Sequence, residues 1–140
     1  MGSLIDADAL IAAERGRVSL TALLESFGQD EFAISVVTAS ELLHGLHRAN
    51  DPSIRTRREA FVEVVLRTFP VIPIDLEIAR KHASLNADLT TKGQIIGPHD
   101  LWIAATCLVH NLALITGNVR EFARVPGLQI KLWPKTAQHQ

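Results

Sequence analysis

Short apolar runs rich in β-branched residues alternate with longer segments of helical pattern, and this alternation limits the fold more than any other feature. Five runs are predicted to be strands, namely Ser3 to Ile5, Phe32 to Val37, Val71 to Ile74, Leu112 to Thr116 and Leu128 to Trp133. Strands that are separated by helices form parallel sheets covered by those helices. We therefore predict an α/β fold with a central, mostly parallel sheet of about four or five strands flanked by helices.

The helical segments are bounded by residues that start or stop helices. ALIAAERG stops at Gly16, a second helix is predicted over Ser19 to Phe27, and TASELLHGLHRAN opens at Thr38. Two longer amphipathic helices are predicted from about Ser53 to Thr68 and from Leu76 to about Thr91. HDLWIAATCLVH is apolar nearly all round, which indicates a buried helix, and VREFARV is predicted to form a short one.

The length of the chain fits one compact domain. A chain of 140 residues buries roughly two thirds of its unfolded surface without disulfides. We expect a single domain over 1–140, with a core of about 3–133 and a flexible tail at 134–140. Hydrophobic residues make up 47% of the chain, but no apolar run reaches the roughly 18 residues that cross a bilayer, and no basic leader precedes a signal-like segment. We therefore expect a cytoplasmic protein with no membrane partner.

The formal net charge is −1, so the chain lacks an overall basic field that attracts nucleic acid without specificity. Any contact with a nucleic acid must therefore be local. The single cysteine, Cys107, lies in an apolar stretch and is expected to pack in the core.

Five polar residues fall just after predicted strands or in the first turn of predicted helices. Asp6 follows the first strand, Glu41 is expected in the first turn of the helix that leaves the second strand, and Asp100 begins the buried helix; Asn118 and Glu121 follow LALIT. The carboxyl ends of parallel strands meet at one edge of a sheet, so these residues can converge. Several oxygen ligands at one spot suit Mg²⁺ or Mn²⁺. Such an ion promotes hydrolysis of a phosphate ester, which is the predicted reaction.

Each acid also has a structural explanation. Thr38 to Glu41 fits the capping box, in which the glutamate folds back to a backbone amide. Asp100 complements the dipole of a helix that it begins. Asp8 is either the N-cap of ALIAAERG or a residue that supports Asp6 without contacting the metal itself. Asp6 is the hardest to explain in this way, because an acid that ends a buried strand needs a donor or a cation.

Longer stretches that contain these residues carry a resemblance to a known family. They are LIDADALIAAERG, ISVVTASELLHG and IGPHDLWIAATCLVHNLALITGNVREFARVPGL, with a tryptophan near the C-terminus. In this order they resemble the PIN-domain ribonuclease toxins of bacterial toxin–antitoxin pairs, the VapC type, and the middle helices match in pattern. The resemblance implies a single PIN domain that cleaves RNA endonucleolytically with Mg²⁺ or Mn²⁺, with a tRNA or ribosomal RNA as target.

The resemblance also assigns roles to residues. It makes Asp6, Glu41 and Asp100 the first, second and third acids of the family. We expect Asp6 and Asp100 to hold the metal directly, and Glu41 to bind it through water or to orient the attacking hydroxide. Asn118 stands where members carry Asp or Asn, and we expect it to be a neutral ligand or substrate contact. Glu121 stands at an acidic position and is expected to complete or buttress the cluster.

Two positions depart from the pattern of the family. Many members carry Thr or Ser where this chain has Ala7, so a hydroxyl that could orient Asp6 or a water is missing. Asn118 in place of an acid lowers the local negative charge and leaves the number of metal ions open.

The resemblance further implies partners. These are an RNA substrate, a VapB-type antitoxin and usually a second copy of the chain. We expect the antitoxin to occupy a groove among the early helices and the Leu76 to Thr91 helix, where amphipathic faces receive a partner segment.

Two other functions compete with a ribonuclease. One is a PIN-like binding module in which catalysis has decayed. The other is a haloacid-dehalogenase-like phosphatase, because DADAL fits a D-x-D signature whose first aspartate accepts the phosphate. That chemistry needs a later lysine and an acidic pair, and Glu121 is the only acid after LALIT.

Overall fold

The computed structural model describes residues 2–28 and 30–133. Their strands are β1 (Ser3–Ile5), β2 (Phe32–Ser35), β3 (Val71–Ile72), β4 (Ala113–Thr116) and β5 (Ile130–Leu132). They form one sheet in the order β3-β2-β1-β4-β5, and every neighbouring pair is parallel. The predicted central parallel sheet is therefore confirmed. The tail expected at 134–140 lies outside the described residues.

Helices cover both faces of this sheet. They are α1 (Ala7–Glu14), α2 (Leu20–Glu25), α3 (Val36–Arg48), α4 (Pro52–Thr68), α5 (Leu76–Thr91), α6 (Pro98–His110) and α7 (Val119–Phe122). The bounds of α5 are those predicted, because Asp75 caps its first turn and the helix ends before Gly93. None of the helices in the described part of the chain is both long and apolar enough to cross a membrane.

The largest difference from the sequence prediction lies where β2 meets α3. The strand was predicted to reach Val37 and the helix to open at Thr38, but the strand ends at Ser35, whose hydroxyl accepts from the amide of Val37 at 3.0 Å. A buried, β-branched first turn has the same apolar pattern as a strand, and this explains the error. The capping-box interpretation of Glu41 is therefore wrong, and Glu41 lies in the second turn of α3.

Besides β2, three other strands are shorter than predicted. β3 ends at Ile72 because Pro73 follows, and proline has no amide hydrogen to continue the ladder. β4 begins at Ala113 and β5 at Ile130, one and two residues after the predicted starts. The three strands keep their predicted places in the fold.

Two apolar clusters pack on the two faces of the sheet. Ile5 and Ile115 belong to the cluster beneath α1, α3 and α4, whereas Leu4 and Leu114 belong to the cluster beneath α5 and α6. Adjacent residues of β1 and β4 thus enter different clusters, because side chains alternate across a strand. Cys107 is buried in the second cluster, as expected.

Helix α6 is buried over its central part, in agreement with its apolar sequence. Leu101, Ile103 and Ala104 lie in the core. Trp102 is only half-buried, and its ring stacks on the imidazole of His82 in α5 with ring centroids 3.6 Å apart. Packing of these core residues therefore fixes the position of the first turn of α6, which carries Asp100, near the edge of the sheet.

Candidate active site

Asp6 lies where β1 ends and α1 begins, and its side chain is held by two hydrogen bonds. Its Oδ1 accepts from the backbone amide of Ala7 at 2.8 Å, so Asp6 is also the N-cap of α1. Its Oδ2 accepts from the hydroxyl of Thr116 at 2.7 Å. Burial, and then the neighbouring carboxylate of Asp8, raise the pKa of Asp6 to about 7. The carboxyl group is therefore buried and fixed in orientation, and a nearby cation would favour its ionised form.

Thr116 is a site residue that sequence reasoning missed. The parallel register pairs Ile5 with Ile115, so the residues that follow them, Asp6 and Thr116, lie side by side at the carboxyl edge of the sheet. Thr116 is fully buried, and its Oγ1 also accepts from the amide of Asn118 at 3.0 Å. It supplies a hydroxyl to Asp6, although the residue after Asp6 has none. A polar residue that ends the apolar strand LALIT was the available signal.

Asp8 lies in the first turn of α1, so its interpretation as the N-cap of that helix is wrong. Its Oδ2 accepts from the amide of Gly117 at 2.8 Å and from the indole nitrogen of Trp133 at 3.2 Å. Its Oδ1 is buried and has no hydrogen-bond partner within 2–28 and 30–133. The Asp8 carboxylate thus links α1 to Gly117, which follows β4, and to Trp133, which follows β5. Its charge also raises the pKa of Asp6.

Glu41 extends from α3 toward the same edge of the sheet. Burial raises the pKa of its half-buried carboxyl group, and the charges of Asp100 and Asp8 act in the same direction. His99, at the start of α6, opposes this shift, and its Nδ1 lies 3.7 Å from Oε1 of Glu41. Glu41 is more exposed than Asp6, so it can contact a water or a substrate.

Asp100 lies in the first turn of α6, and burial followed by the charge of Glu121 raises its pKa. The side-chain amide of Asn118 donates to Oδ2 of Asp100 at 3.3 Å. Glu121 Oε1 accepts from the amide of Gly97 at 3.0 Å, where α6 has no side-chain cap of its own. Residues of α7 and its N-cap therefore hold the start of α6.

The structure brings the five expected residues together from four parts of the chain. Asp6 comes from the end of β1, Glu41 from α3, Asp100 from α6, and Asn118 and Glu121 from the segment after β4. The charge of Asp100 raises the pKa of both Asp6 and Glu41. Carboxyl groups whose ionisation is disfavoured by burial and by a neighbouring carboxylate are stabilised in the ionised form by a nearby cation.

The donor set fits a hard divalent ion that retains water. Within the described ranges, no group of three or more His, Cys, Asp or Glu side chains is arranged so that it could hold a metal ion by itself. Mg²⁺ does not require such a group, since it is bound through one or two carboxylates with water and substrate phosphate as its remaining ligands. The raised pKa values of Asp6 and Asp100 and the buried Oδ1 of Asp8 that lacks a partner agree with such a site.

The family model and the similar proteins of known name agree on one family. Residues 3–128 match the PIN domain family. Ribonuclease VapC1 of Rickettsia felis is 38% identical over 130 residues, which cover 93% of this chain and 95% of that protein. The tRNA(fMet)-specific endonuclease VapC of Salmonella typhimurium is 34% identical over 100 residues, which cover 71% of this chain and 74% of that protein.

The fold agrees with this relationship. VapBC-5 of Mycobacterium tuberculosis, a member of the VapBC family of toxin–antitoxin systems, superposes with a TM-score of 0.74 at 29% identity and covers 93% of this chain and 95% of the solved chain. These matches exclude the haloacid-dehalogenase alternative, because the segment DADAL begins a PIN domain. The chain belongs to the VapC ribonucleases of the PIN domain family.

Proposed function

We propose that this ribonuclease uses Mg²⁺ or Mn²⁺, held directly by Asp6 and Asp100, with Glu41 binding the ion or orienting a water. PIN-domain ribonucleases are generally dependent on a divalent metal ion. The observation that carries the proposal is that burial and neighbouring carboxylates raise the pKa of all three acids at one edge of the sheet. When bound, such an ion would lower the pKa of a water and offset charge on the phosphodiester.

Other residues of the chain position these ligands. Thr116 holds one oxygen of Asp6, which fixes the carboxylate at the end of the sheet. Asn118 donates to Asp100 through its nitrogen, which leaves its amide oxygen to act as a neutral ligand or substrate contact. Glu121 holds the backbone at the start of α6 and buttresses the cluster through that bond.

The substrate that we propose is RNA presented as a single strand or loop. The carboxylate of Asp6 is buried, so a scissile phosphate must leave regular helical structure to reach it. A transfer RNA is our first candidate, because a relative from Salmonella typhimurium is named for tRNA(fMet). Ribosomal RNA is the second.

We further propose that a VapB-type antitoxin inhibits the enzyme in the cytoplasm. A VapBC toxin–antitoxin structure is among the relatives. A pocket of about 60 Å³ next to Glu41 has Ile11, Phe61 and Val62 in its wall. Glu14 in that wall pairs with Arg58 at 2.7 Å, and its Oε2 is buried with no hydrogen-bond partner in the described part of the chain.

This pocket suits a partner segment with apolar residues and one basic side chain, since Glu14 offers a buried carboxylate oxygen. It lies among the early helices, as expected from the sequence, but α5 contributes none of its lining residues. Homodimerisation stays a proposal that follows from the resemblance, and a monomer by light scattering at micromolar concentration contradicts it.

The first experiment is cleavage of total RNA by the purified protein with Mn²⁺ or with EDTA. We expect discrete fragments that require metal and disappear in Asp6→Asn. Asp88→Asn is the matched control, because Asp88 is an exposed carboxylate on α5 whose ion-pair partner is Lys92. Mapping the fragment ends identifies the target.

Two outcomes contradict the proposal. Cleavage that persists in EDTA or in Asp6→Asn excludes the metal site as we describe it. Antitoxin binding by a folded wild-type protein that binds no Mn²⁺ and cleaves nothing identifies a binding module in which catalysis has decayed.

A further inference from the structure

A basic pocket continues from Glu41 along α3. It adjoins the pocket that we propose for the antitoxin, and the two share the lining residues Ile11, Arg15, Glu41 and Gly45. The volume of the basic pocket is about 520 Å³. Its basic lining residues are Arg15, His44, Arg48 and His99, and Glu41 is its one acidic lining residue within the described part of the chain. Arg15 ends α1, whereas His44 and Arg48 are one turn apart on the face of α3 that carries Glu41. One end of the pocket therefore meets the acidic cluster, and the other end is basic.

The basic side chains of this pocket are available to a ligand. Within residues 2–28 and 30–133, the side chains of Arg15, His44 and Arg48 make no hydrogen bond or ion pair, and all three residues are exposed. By contrast, Arg58 on the neighbouring helix pairs with Glu14 and donates to the carbonyl of Gly45. The pocket therefore concentrates uncompensated positive charge in a protein whose net charge is −1.

Gly45 in α3 also lines this pocket. A Cβ at this position would meet no atom within 4 Å, so no packing contact requires glycine there. Glycine weakens the interior of a helix, and its presence in the middle of α3 is unfavourable for the helix itself. Its missing side chain leaves room beside Glu41 and Arg48.

We propose that this pocket binds a backbone phosphate of the RNA next to the scissile phosphate, with Arg15 and Arg48 as its cationic contacts and His44 as a hydrogen-bond donor. The inference rests on the ribonuclease function and specifies how that site holds its substrate. Arg48 is seven residues beyond Glu41, or about 10 Å along the helix. This separation places the arginine beside a flanking phosphate and not beside the phosphate that is cleaved.

Electrostatics gives the reason for such a contact. The carboxylates that bind the metal repel the phosphates on either side of the cleaved bond, since only the scissile phosphate lies next to the ion. Without an overall basic field, the protein needs local cations to offset this repulsion. Arg15 and Arg48 are the exposed arginines that line the pocket next to the acidic cluster.

The test compares two double variants with the same change in net charge. Arg15→Gln with Arg48→Gln removes the proposed phosphate-binding side chains, whereas Arg17→Gln with Arg67→Gln removes two exposed arginines that do not line the pocket. The probe is a fluorescein-labelled oligouridylate whose affinity is measured in EDTA over a series of KCl concentrations. EDTA prevents cleavage, so the affinity alone is measured.

We expect the pocket variant to bind the probe at least about tenfold more weakly, with a salt slope smaller by about 0.7 for each phosphate that the protein no longer neutralises. The control variant should bind within about twofold of the wild type. Mn²⁺-induced thermal stabilisation should be unchanged in both, which shows that the acidic cluster is intact.

Equal decreases in affinity in the two double variants would overturn the inference, because they would reflect general charge. Unchanged RNA affinity with weakened antitoxin affinity in the pocket variant would also overturn it and assign the pocket to the protein partner. The result does not depend on the cleavage assay, so failure of the proposed function and failure of this inference are distinguishable.

Discussion

At the scale of single residues, the protonation of Asp6 depends on whether the protein is folded. Burial raises its pKa from about 3.8 to about 7, so the folded metal-free protein keeps a proton that the unfolded chain releases. Protein stability then falls as pH rises between these two values, because the unfolded state binds fewer protons. The raised pKa values of Glu41 and Asp100 act in the same direction.

We predict that the melting temperature in EDTA falls between about pH 4 and pH 7, and that Asp6→Asn makes this fall smaller. Thermal unfolding at a series of pH values measures it. Asp88→Asn serves as the control and should reproduce the wild-type profile. An identical profile for Asp6→Asn would mean that Asp6 keeps an ordinary pKa in the folded protein.

Thr116 acts on the site through Asp6, so it is a positioning residue. Thr116→Val removes the hydroxyl that donates to Asp6 Oδ2 and accepts from the amide of Asn118. We expect a loss of about 1–3 kcal/mol in unfolding free energy, because buried polar groups lose their partner. We also expect slower RNA cleavage with Mn²⁺.

Thr116→Ser keeps the hydroxyl and should restore both quantities, as measured by chemical denaturation and by cleavage rate. If Thr116→Ser were as slow as Thr116→Val, the methyl group would matter and the hydrogen bond to Asp6 would not explain the effect.

At the scale of elements, the start of α3 decides where Glu41 lies. Ser35 caps this helix, whereas the hydroxyl of Thr38 is buried in its first turn without a hydrogen-bond partner among the described residues. We predict that Ser35→Ala lowers the unfolding free energy by about 1 kcal/mol. Thr38→Val should be neutral or stabilising, since it removes an unsatisfied buried polar group.

Chemical denaturation of the two variants measures these changes. The opposite ranking, in which Thr38 carries the capping energy and Ser35 does not, would restore the start of α3 that the sequence predicts and return Glu41 to its first turn.

The glycine within α3 links the stability of the helix to its pocket. Gly45→Ala should stabilise the protein by about 0.5–1 kcal/mol, because alanine favours the helix and its Cβ meets no other atom. The same methyl group narrows the basic pocket, so we expect weaker binding of the RNA probe in EDTA. Denaturation and binding measured on one preparation separate the two effects. A more stable variant with unchanged RNA affinity would show that RNA does not enter the pocket.

At the scale of the whole molecule, a metal ion would join parts of the chain that are distant in sequence. Asp6 follows β1 and Asp100 lies in α6, and the charge of Asp100 raises the pKa of Asp6. We predict that Mn²⁺ raises the melting temperature, since the ion binds only the folded arrangement. Asp100→Asn should raise the melting temperature in EDTA and remove most of the metal-induced increase.

Thermal unfolding with Mn²⁺ and with EDTA measures both effects, and Asp88→Asn should behave as the wild type. If Asp100→Asn retained the full metal-induced increase, Asp100 and the ion would not share one site.

The order of strands and helices and the family were accessible from the amino-acid sequence, because both depend on local patterns. Period, turn residues and apolar runs identify a strand or helix without knowledge of its neighbours. The same patterns place Asp6 at the end of a strand and Asp100 at the start of a helix, and a parallel sheet brings such positions to one edge. The start of α3 was not accessible, because an apolar first turn has the same pattern as a strand.

The sequence by itself determined the parallel α/β fold and the acids at its carboxyl edge, whereas the tertiary structure decided what those acids contact. Thr116 donates to Asp6 across 110 positions of the chain, and this bond depends on the register between β1 and β4. That register follows from packing two apolar clusters on opposite faces of the sheet. Such packing depends on contacts between residues that are distant in the sequence, so the register cannot be predicted from a local sequence pattern.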